Sequence, residues 1–141
     1  MNSKVKTWLG TILGIVLFSL ASFFVKQFLN KPPSFDKILV EVANEINKIC
    51  PILVDSDTQL DNAVSKPPNI IQYNYTLINY EKENLDVLEL GKNLEPIIVN
   101  AVRTNPDMQY LRDKNVVFDY YYKDKNGVFL LKISVPPEKY K

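Results

Sequence analysis

The chain has 141 residues, with 17 lysines and arginines, 16 aspartates and glutamates, and no histidine. Hydrophobic residues at 46% and charged residues at 23% are typical of a folded chain and exclude an intrinsically disordered one. The absence of histidine excludes histidine-based triads and metal sites, and the single cysteine excludes an internal disulfide and a cysteine-only zinc site. We therefore predict no metal and no cofactor.

Charge is distributed unevenly along the chain. Residues 1–31 carry four lysines and no acidic residue, so residues 32–141 carry 13 basic and 16 acidic side chains. A nucleic-acid-binding domain normally has an excess of basic residues on its surface, and the larger part of this chain has none. We therefore predict no nucleic-acid partner.

The N-terminal segment predicts a membrane anchor. No charged residue lies between Lys6 and Lys26. As a helix, residues 7–25 would be roughly 28 Å long, which matches the hydrocarbon thickness of a bilayer. We predict residues 1–25 as a transmembrane helix that contacts the lipid bilayer through residues 7–25, followed by a linker over residues 26–33.

A cleavable signal peptide is the alternative for the same segment. Its apolar region would be Trp8–Leu20, and Ser19-Leu20-Ala21 would be the cleavage site. The retained anchor is preferred because Phe23, Phe24 and Val25 continue the apolar run past that site. A short basic tail before a single span favours a domain on the outer side of the membrane.

Small residues within the apolar segment predict self-association. Gly10 and Gly14 form a G-x-x-x-G pair, and Ala21 follows on roughly the same face of the helix. Such residues let two membrane helices approach closely, so we predict membrane-helix packing through Gly10, Gly14 and Ala21 as a route to a homodimer. The alternative is that glycine is simply common in membrane spans.

Residues 34–141 predict one α+β domain. Helical spacing of apolar residues and alternation with a period of two distinguish its helices from its strands. The predicted elements, in chain order, are a helix that Ser34 caps and Pro51 ends, strands near Gln59–Ser65 and Ile71–Leu77, a helix from Asn84 or Asp86 to Arg103, and two final strands. This helix–strand–strand–helix–strand–strand order predicts two hairpins in a four-stranded antiparallel sheet, with both helices on one face.

The last two strands have a predicted register. Asn126-Gly127 is a strong signal for a two-residue hairpin turn. With this turn, residues of like character face each other on each side of the hairpin, and a shift of one residue would destroy the match. The predicted pairs are Tyr122 with Leu131, Tyr120 with Ile133, Phe118 with Val135, Tyr121 with Lys132, and Asp119 with Ser134.

Asp55 and Asp57 are the candidate catalytic carboxylates. Thr58 follows Asp57 directly, which is not the spacing of a phosphotransferase motif, and Gln59 and Leu60 exclude a calcium-binding loop. Two carboxylates held apart can act as acid and base, so a small hydrolase or ligand-binding domain using Asp55 and Asp57 is the alternative function. The preferred interpretation is a solvated turn, with no catalytic residue and no enzymatic activity.

The tyrosine pattern separates predicted core from predicted surface. The tyrosines that fall on the inner face of the predicted sheet are Tyr73, Tyr75, Tyr120 and Tyr122. Tyr80 and Tyr121 fall on the opposite face, where they and Lys132 predict a recognition surface. The alternative is an ordinary solvated sheet face.

Several short segments carry a resemblance to known proteins. These segments are Pro51–Asp55, Thr58–Asp61, Tyr73–Leu77, Thr104–Pro106, Arg112-Asp113 and Tyr120–Asp124. Over about residues 40–140 the chain resembles small uncharacterised bacterial proteins that combine one N-terminal hydrophobic segment with a compact α+β domain. The resemblance implies this architecture and a bacterial source, and it implies no activity.

Together, these patterns predict a single-pass protein of the inner (cytoplasmic) membrane. Its α+β domain would lie on the extracytoplasmic side and bind an unknown protein partner as a non-enzymatic accessory module. The alternative localisation is a secreted or periplasmic domain released by cleavage after Ala21.

Overall fold

The computed structural model describes residues 34–141. The predicted anchor and linker, together with Gly10, Gly14 and Ala21, precede this region and lie outside the described residues. Within residues 34–141, no helix combines the length and the hydropathy that crossing a membrane requires.

The first described helix, α1 (Phe35–Ile49), carries its apolar residues on one face, which packs against the sheet. The buried residues of α1 are Ile38, Leu39, Val42, Ala43 and Ile46. Asn47 fastens the helix to the sheet through two hydrogen bonds. Its side-chain Nδ2 donates to the Ala63 carbonyl oxygen (2.8 Å), and its Oδ1 accepts from the Ala63 amide (2.7 Å).

Five strands form one mixed sheet in the spatial order β1-β2-β3-β4-β5. The strands are β1 (Ile52–Leu53), β2 (Thr58–Lys66), β3 (Ile70–Leu77), β4 (Val117–Asp124) and β5 (Phe129–Val135). Neighbouring strands are antiparallel except β3 and β4, which run parallel. The α+β class is confirmed, but the predicted four-stranded antiparallel sheet is wrong.

The connection from β3 to β4 is the physical reason for that error. It contains α2 (Val87–Thr104) and α3 (Gln109–Asp113), and it returns the chain so that β4 begins beside the start of β3. Parallel neighbours need such a crossover, whereas a hairpin reverses direction. Alternation with a period of two identifies a strand but not its direction, and the two-residue β1 is too short to show any pattern.

The β4–β5 hairpin confirms the predicted register. Pairing runs from Tyr122 opposite Leu131 to Phe118 opposite Val135, with successive pairs on alternate faces. The turn is a three-residue loop rather than the predicted two-residue turn, because the Asp124 amide bonds to the carbonyl four residues further on (2.9 Å). A bulge in β5 then restores the predicted pairing.

Asp124 ties this hairpin loop to the connection that follows β3. Its Oδ1 accepts from the amides of Asn126 (2.8 Å) and Val128 (2.9 Å), and its Oδ2 accepts from the Lys82 amide (2.9 Å). Desolvation raises the pKa of the Asp124 carboxyl, but these three hydrogen bonds and a neighbouring lysine outweigh it and hold the pKa below its ordinary value. The loop therefore depends on an ionised carboxylate.

The long helix α2 begins after Asp86, one of the two predicted N-cap residues. Asp86 Oδ1 accepts a hydrogen bond from the Glu89 amide (2.9 Å). Its buried residues are Leu90, Leu94, Ile98 and Val102. Pro96 lies within the helix on its exposed side. The short C-terminal helix α4 (Pro137–Tyr140) packs against both α2 and β5.

Four tyrosines form the helix-facing side of the sheet, which we call the inner face. Tyr73 and Tyr75 of β3 and Tyr120 and Tyr122 of β4 are at most 1% exposed. Ring centroids are 5.3 Å apart for Tyr73–Tyr120 and 5.0 Å apart for Tyr75–Tyr122. Within residues 34–141 none of the four hydroxyls has a hydrogen-bond partner, and burial raises the pKa of each phenol.

Candidate interaction surface

The opposite side of the sheet, which we call the open face, lies away from α1 and α2, because the buried residues of both helices join the tyrosines in one core. Strand registers and side-chain contacts define its members. They are Gln59, Asp61, Asn62, Val64, Lys66, Ile70, Gln72, Asn74, Thr76, Val117, Asp119, Tyr121, Lys123, Phe129, Lys132 and Ser134. This surface is mostly polar, with a few apolar positions among its lysines and carboxylates.

Asp61 is the centre of one hydrogen-bonded group on the open face. It lies at a bulge in β2, and alternation within the strand places its side chain on the same face as that of Gln59. Its Oδ1 accepts from Gln59 Nε2 (2.8 Å) and its Oδ2 from Thr76 Oγ1 (2.7 Å), and Lys123 Nζ lies 3.4 Å from Oδ2. A carboxylate with these donors holds three strands in one arrangement.

A row of amides crosses the middle of the open face. Gln72 Nε2 donates to Asn74 Oδ1 (2.7 Å), and Asn74 Nδ2 donates to Asn62 Oδ1 (2.6 Å). Lys66 Nζ donates to Gln72 Oε1 at the end of the row. These side chains are held in place before any partner arrives, which lowers the entropy cost of binding.

An aromatic pair is the most exposed apolar part of this face. The ring centroids of Tyr121 and Phe129 are 5.0 Å apart, and Phe129 is 45% exposed. Lys132 lies opposite Tyr121 in the strand register, and its Nζ lies 3.5 Å from Asp119 Oδ2. The other carboxylate oxygen of Asp119, Oδ1, accepts a hydrogen bond from Ser134 Oγ. The predicted residues Tyr121 and Lys132 therefore share one patch, beside an aromatic ring that the sequence reasoning missed.

Tyr80, the third predicted recognition residue, lies elsewhere. It follows β3 and packs against the hydrophobic core rather than on the open face. Burial, followed by the charges of Asp57 and Asp55, raises the pKa of its phenol. Its backbone carbonyl accepts from the Lys125 amide (3.0 Å), so Tyr80 contributes to the junction between the β3 end and the hairpin.

The candidate catalytic carboxylates are used to hold the loop between β1 and β2. Asp55 Oδ1 accepts from the Asp57 amide (2.8 Å), and the Asp57 carboxylate accepts from Asn79 Nδ2. The first bond is a local turn contact of the kind expected for aspartate, whereas the second joins the loop to the segment that follows β3. Nearby Cys50 packs against the core, and burial followed by the charge of Asp61 raises the pKa of its thiol, which disfavours the reactive thiolate.

The architecture defines the class of this protein. It is an α+β domain with a five-stranded mixed sheet and two main helices, a parallel pair at β3–β4, and one uncovered sheet face within residues 34–141. The chain belongs to the family of domains of unknown function DUF8479, which matches residues 34–131. No curated protein sequence matches the chain.

Solved structures share this fold at low sequence identity. A candidate secreted protein from Pseudomonas aeruginosa has a TM-score of 0.65 and 13% identity, covering 75% of this chain and 92% of its own. The pilotin EpsS of the Vibrio vulnificus type 2 secretion system has a TM-score of 0.59 and 11% identity, over 75% and 91% of the chains. The type II secretion pilotin AspS from Vibrio cholerae has 0.55 and 10%, over 74% and 90%. These likenesses establish the fold.

Proposed function

We propose that this protein is an extracytoplasmic, non-enzymatic accessory module that binds another protein through the open face. The observation that carries the proposal is the preorganised open face, on which the exposed Phe129 and the half-buried Tyr121 lie beside Lys132. Interfaces typically combine exposed aromatic residues with a polar surround. The fold is one that pilotins of type II secretion systems also use, which supports an accessory role in an envelope assembly.

The apolar segment over residues 7–25 supplies the route out of the cytoplasm in this proposal. It acts as an anchor or as a cleaved signal. Spheroplasts carrying the full chain with a C-terminal tag distinguish the two sides of the membrane, because external protease removes the tag only from an outward-facing domain. A protected full-length band would contradict the extracytoplasmic location, and a starting band short by about 21 residues would identify a cleaved signal.

Site-specific photocrosslinking in cells tests the binding surface. A benzophenone amino acid in place of Tyr121 in the full chain should give a discrete adduct after irradiation. Lys37, exposed on α1, is the control position and should give none. The Tyr121 adduct should weaken when Lys132→Glu is added, since that change reverses a charge in the same patch.

The outcomes of that experiment are separable. An adduct of twice the chain mass would identify a second copy as the partner, and a different mass would identify another protein. Absence of an adduct at the Tyr121 position, or the same adduct from the Lys37 position, would contradict binding through the open face. We propose no second function for the loop carboxylates, because an Asp55 oxygen accepts from the Asp57 amide and an Asp57 oxygen accepts from Asn79 Nδ2.

A further inference from the structure

A groove runs between α2 and α4, on the helix side of the sheet. It is a shallow depression, widely open to solvent, with a volume of about 530 Å³. Its lining residues are Lys92, Glu95, Pro96, Val99, Arg103, Glu138 and Lys139. The five from α2 recur at helical spacing and therefore form one continuous flank of that helix. Variants in this groove leave the open face unchanged.

Hydrogen bonds fix the two walls of the groove relative to each other. Lys139 Nζ lies 2.5 Å from Glu95 Oε1, and Arg103 Nη2 donates to the Lys139 carbonyl oxygen (2.7 Å). Tyr140 Oη donates to the Val116 carbonyl oxygen (2.8 Å), which anchors α4 to the sheet. The groove is therefore preformed, and a ligand need not order it.

Pro96 gives the floor of the groove an unusual backbone feature. Proline has no amide hydrogen, so the Lys92 carbonyl lacks the donor that the residue four positions later supplies in a regular helix. Both residues line the groove. This carbonyl faces the proline ring instead of an amide, and the flank carries the apolar side chains of Pro96 and Val99.

The charged side chains of the groove indicate the charge of the ligand that it can bind. Glu95 is paired with Lys139, whereas Lys92, Arg103 and Glu138 have no oppositely charged partner within residues 34–141. The three basic and two acidic side chains of the lining give the groove a net charge of +1. Lys92 and Arg103 stand at opposite ends of the flank, about 16 Å apart along the helix axis. Residues 32–141 carry 13 basic and 16 acidic side chains, so this flank is positive on a domain that is acidic as a whole.

We propose that the α2–α4 groove binds an extended acidic segment of a protein partner. One carboxylate of the segment lies at Lys92 and another at Arg103, and apolar side chains between them contact Pro96 and Val99. An extended chain covers that span with about five residues. The groove is separate from the open face, so failure of either proposal leaves the other standing.

A phage-displayed library of random twelve-residue peptides, selected on the full-length protein in detergent, tests the proposal. We expect enriched peptides to carry two acidic residues about five positions apart with apolar residues between them. Synthetic copies should bind about tenfold more weakly to the variant Lys92→Glu/Arg103→Glu, and binding should weaken with added salt. The matched control is Lys37→Glu/Lys48→Glu, which makes the same change in net charge on α1 and should bind like the unmodified chain.

Three outcomes would overturn the proposal. The first is no enrichment, or enrichment of peptides without acidic residues. The second is equal weakening by the control variant, which would show a general charge effect. The third is that the protein binds phosphatidylglycerol vesicles but not the peptides, and that the groove variant abolishes this vesicle binding. That result would make the groove a lipid site. If the reversed-charge variant does not fold by circular dichroism, Lys92→Gln/Arg103→Gln replaces it.

Discussion

The two faces of the sheet come from the same strands but differ in how their polar groups are paired. Tyr73 and Tyr120 point inward from β3 and β4, and the next residues, Asn74 and Tyr121, point outward. The inward hydroxyls are buried without partners in the described part of the chain, a cost of about 1–3 kcal/mol each that ring contacts and burial must offset. Outward polar groups are joined by hydrogen bonds along rows. The comparison suggests that stability depends on the inner face, whereas the open face can change its chemistry at little cost.

Alkaline pH should give the largest effect, because it acts on all four inner phenols together. Burial raises their pKa in the folded state, whereas unfolded phenols ionise near pH 10. The stability that the neutral phenols provide is complete below that pH and is lost as pH rises above it. One pH unit above the pKa of the unfolded phenol, each buried phenol should have lost roughly 1.4 kcal/mol of its contribution to stability. Urea denaturation at neutral pH and at about pH 11 measures it.

The same titration can contradict the description of the inner face. Ultraviolet absorbance reports phenolate, and circular dichroism reports folded structure. Phenolate from the buried tyrosines should form only as the helical signal is lost. If all eight tyrosines of the chain ionise while the domain stays folded, the four inner phenols are accessible to water and the face is not a closed core.

Truncating one ring on each face should separate the faces by several kcal/mol. Tyr120→Ala removes a fully buried ring that contacts two neighbouring rings, and it should lower the free energy of unfolding by about 4 kcal/mol. Tyr121→Ala, the adjacent residue, should cost about 1 kcal/mol or less, since its ring contacts only Phe129 among the described aromatic pairs. Urea unfolding of both variants checks this, and equal losses would contradict the comparison.

Removing single hydroxyls should have effects of opposite sign. Among the described residues the buried Tyr75 hydroxyl has no partner, so Tyr75→Phe should raise the free energy of unfolding by about 1 kcal/mol. The Tyr140 hydroxyl donates to the Val116 carbonyl oxygen, so Tyr140→Phe should lower it by about 1 kcal/mol. Thermal or urea unfolding of the two variants, compared side by side, gives the signs. A loss for Tyr75→Phe would mean that its hydroxyl has a partner in solution.

Local chemistry explains what the sequence predicted well. The hairpin pairs followed from a turn signal and from matching residue types on each face, and both are properties of neighbouring residues. The start of α2 at Asp86 followed from cap chemistry in the same way. The buried tyrosines followed from alternation within each strand.

The features that the sequence did not predict depend on contacts between distant segments and on bulges in the strands. The parallel pairing of β3 with β4 depends on where a connection of helices returns the chain, which no local pattern encodes. Phe129 was missed because the bulge in β5 moves it to the open face, opposite Lys123. Alternation within β2 places Asp61 on the open face, but it does not show that donors from two other strands converge there, and a second bulge brings Asn62 to the same face. A single extra residue in a strand changes the face on which its neighbours lie.

Two threonines at the ends of the sheet provide the smallest and most closely matched test. Thr76 Oγ1, on the open face, donates to Asp61 Oδ2 (2.7 Å), whereas Thr58 Oγ1 is buried without a partner within residues 34–141. Thr76→Val should therefore lower the free energy of unfolding by about 0.5 kcal/mol, because Asp61 keeps Gln59 and Lys123 as neighbours. Thr58→Val should raise it by about the same amount, since the change removes a polar atom that is desolvated and unpaired. Both variants replace a hydroxyl with a methyl group in a strand, so differences in β-propensity cancel between them. Changes of opposite sign in the free energy of unfolding, measured by paired urea titrations, would establish that the two positions differ in whether the hydroxyl is hydrogen-bonded. A lower free energy of unfolding for both variants would show that Thr58 is hydrogen-bonded in solution.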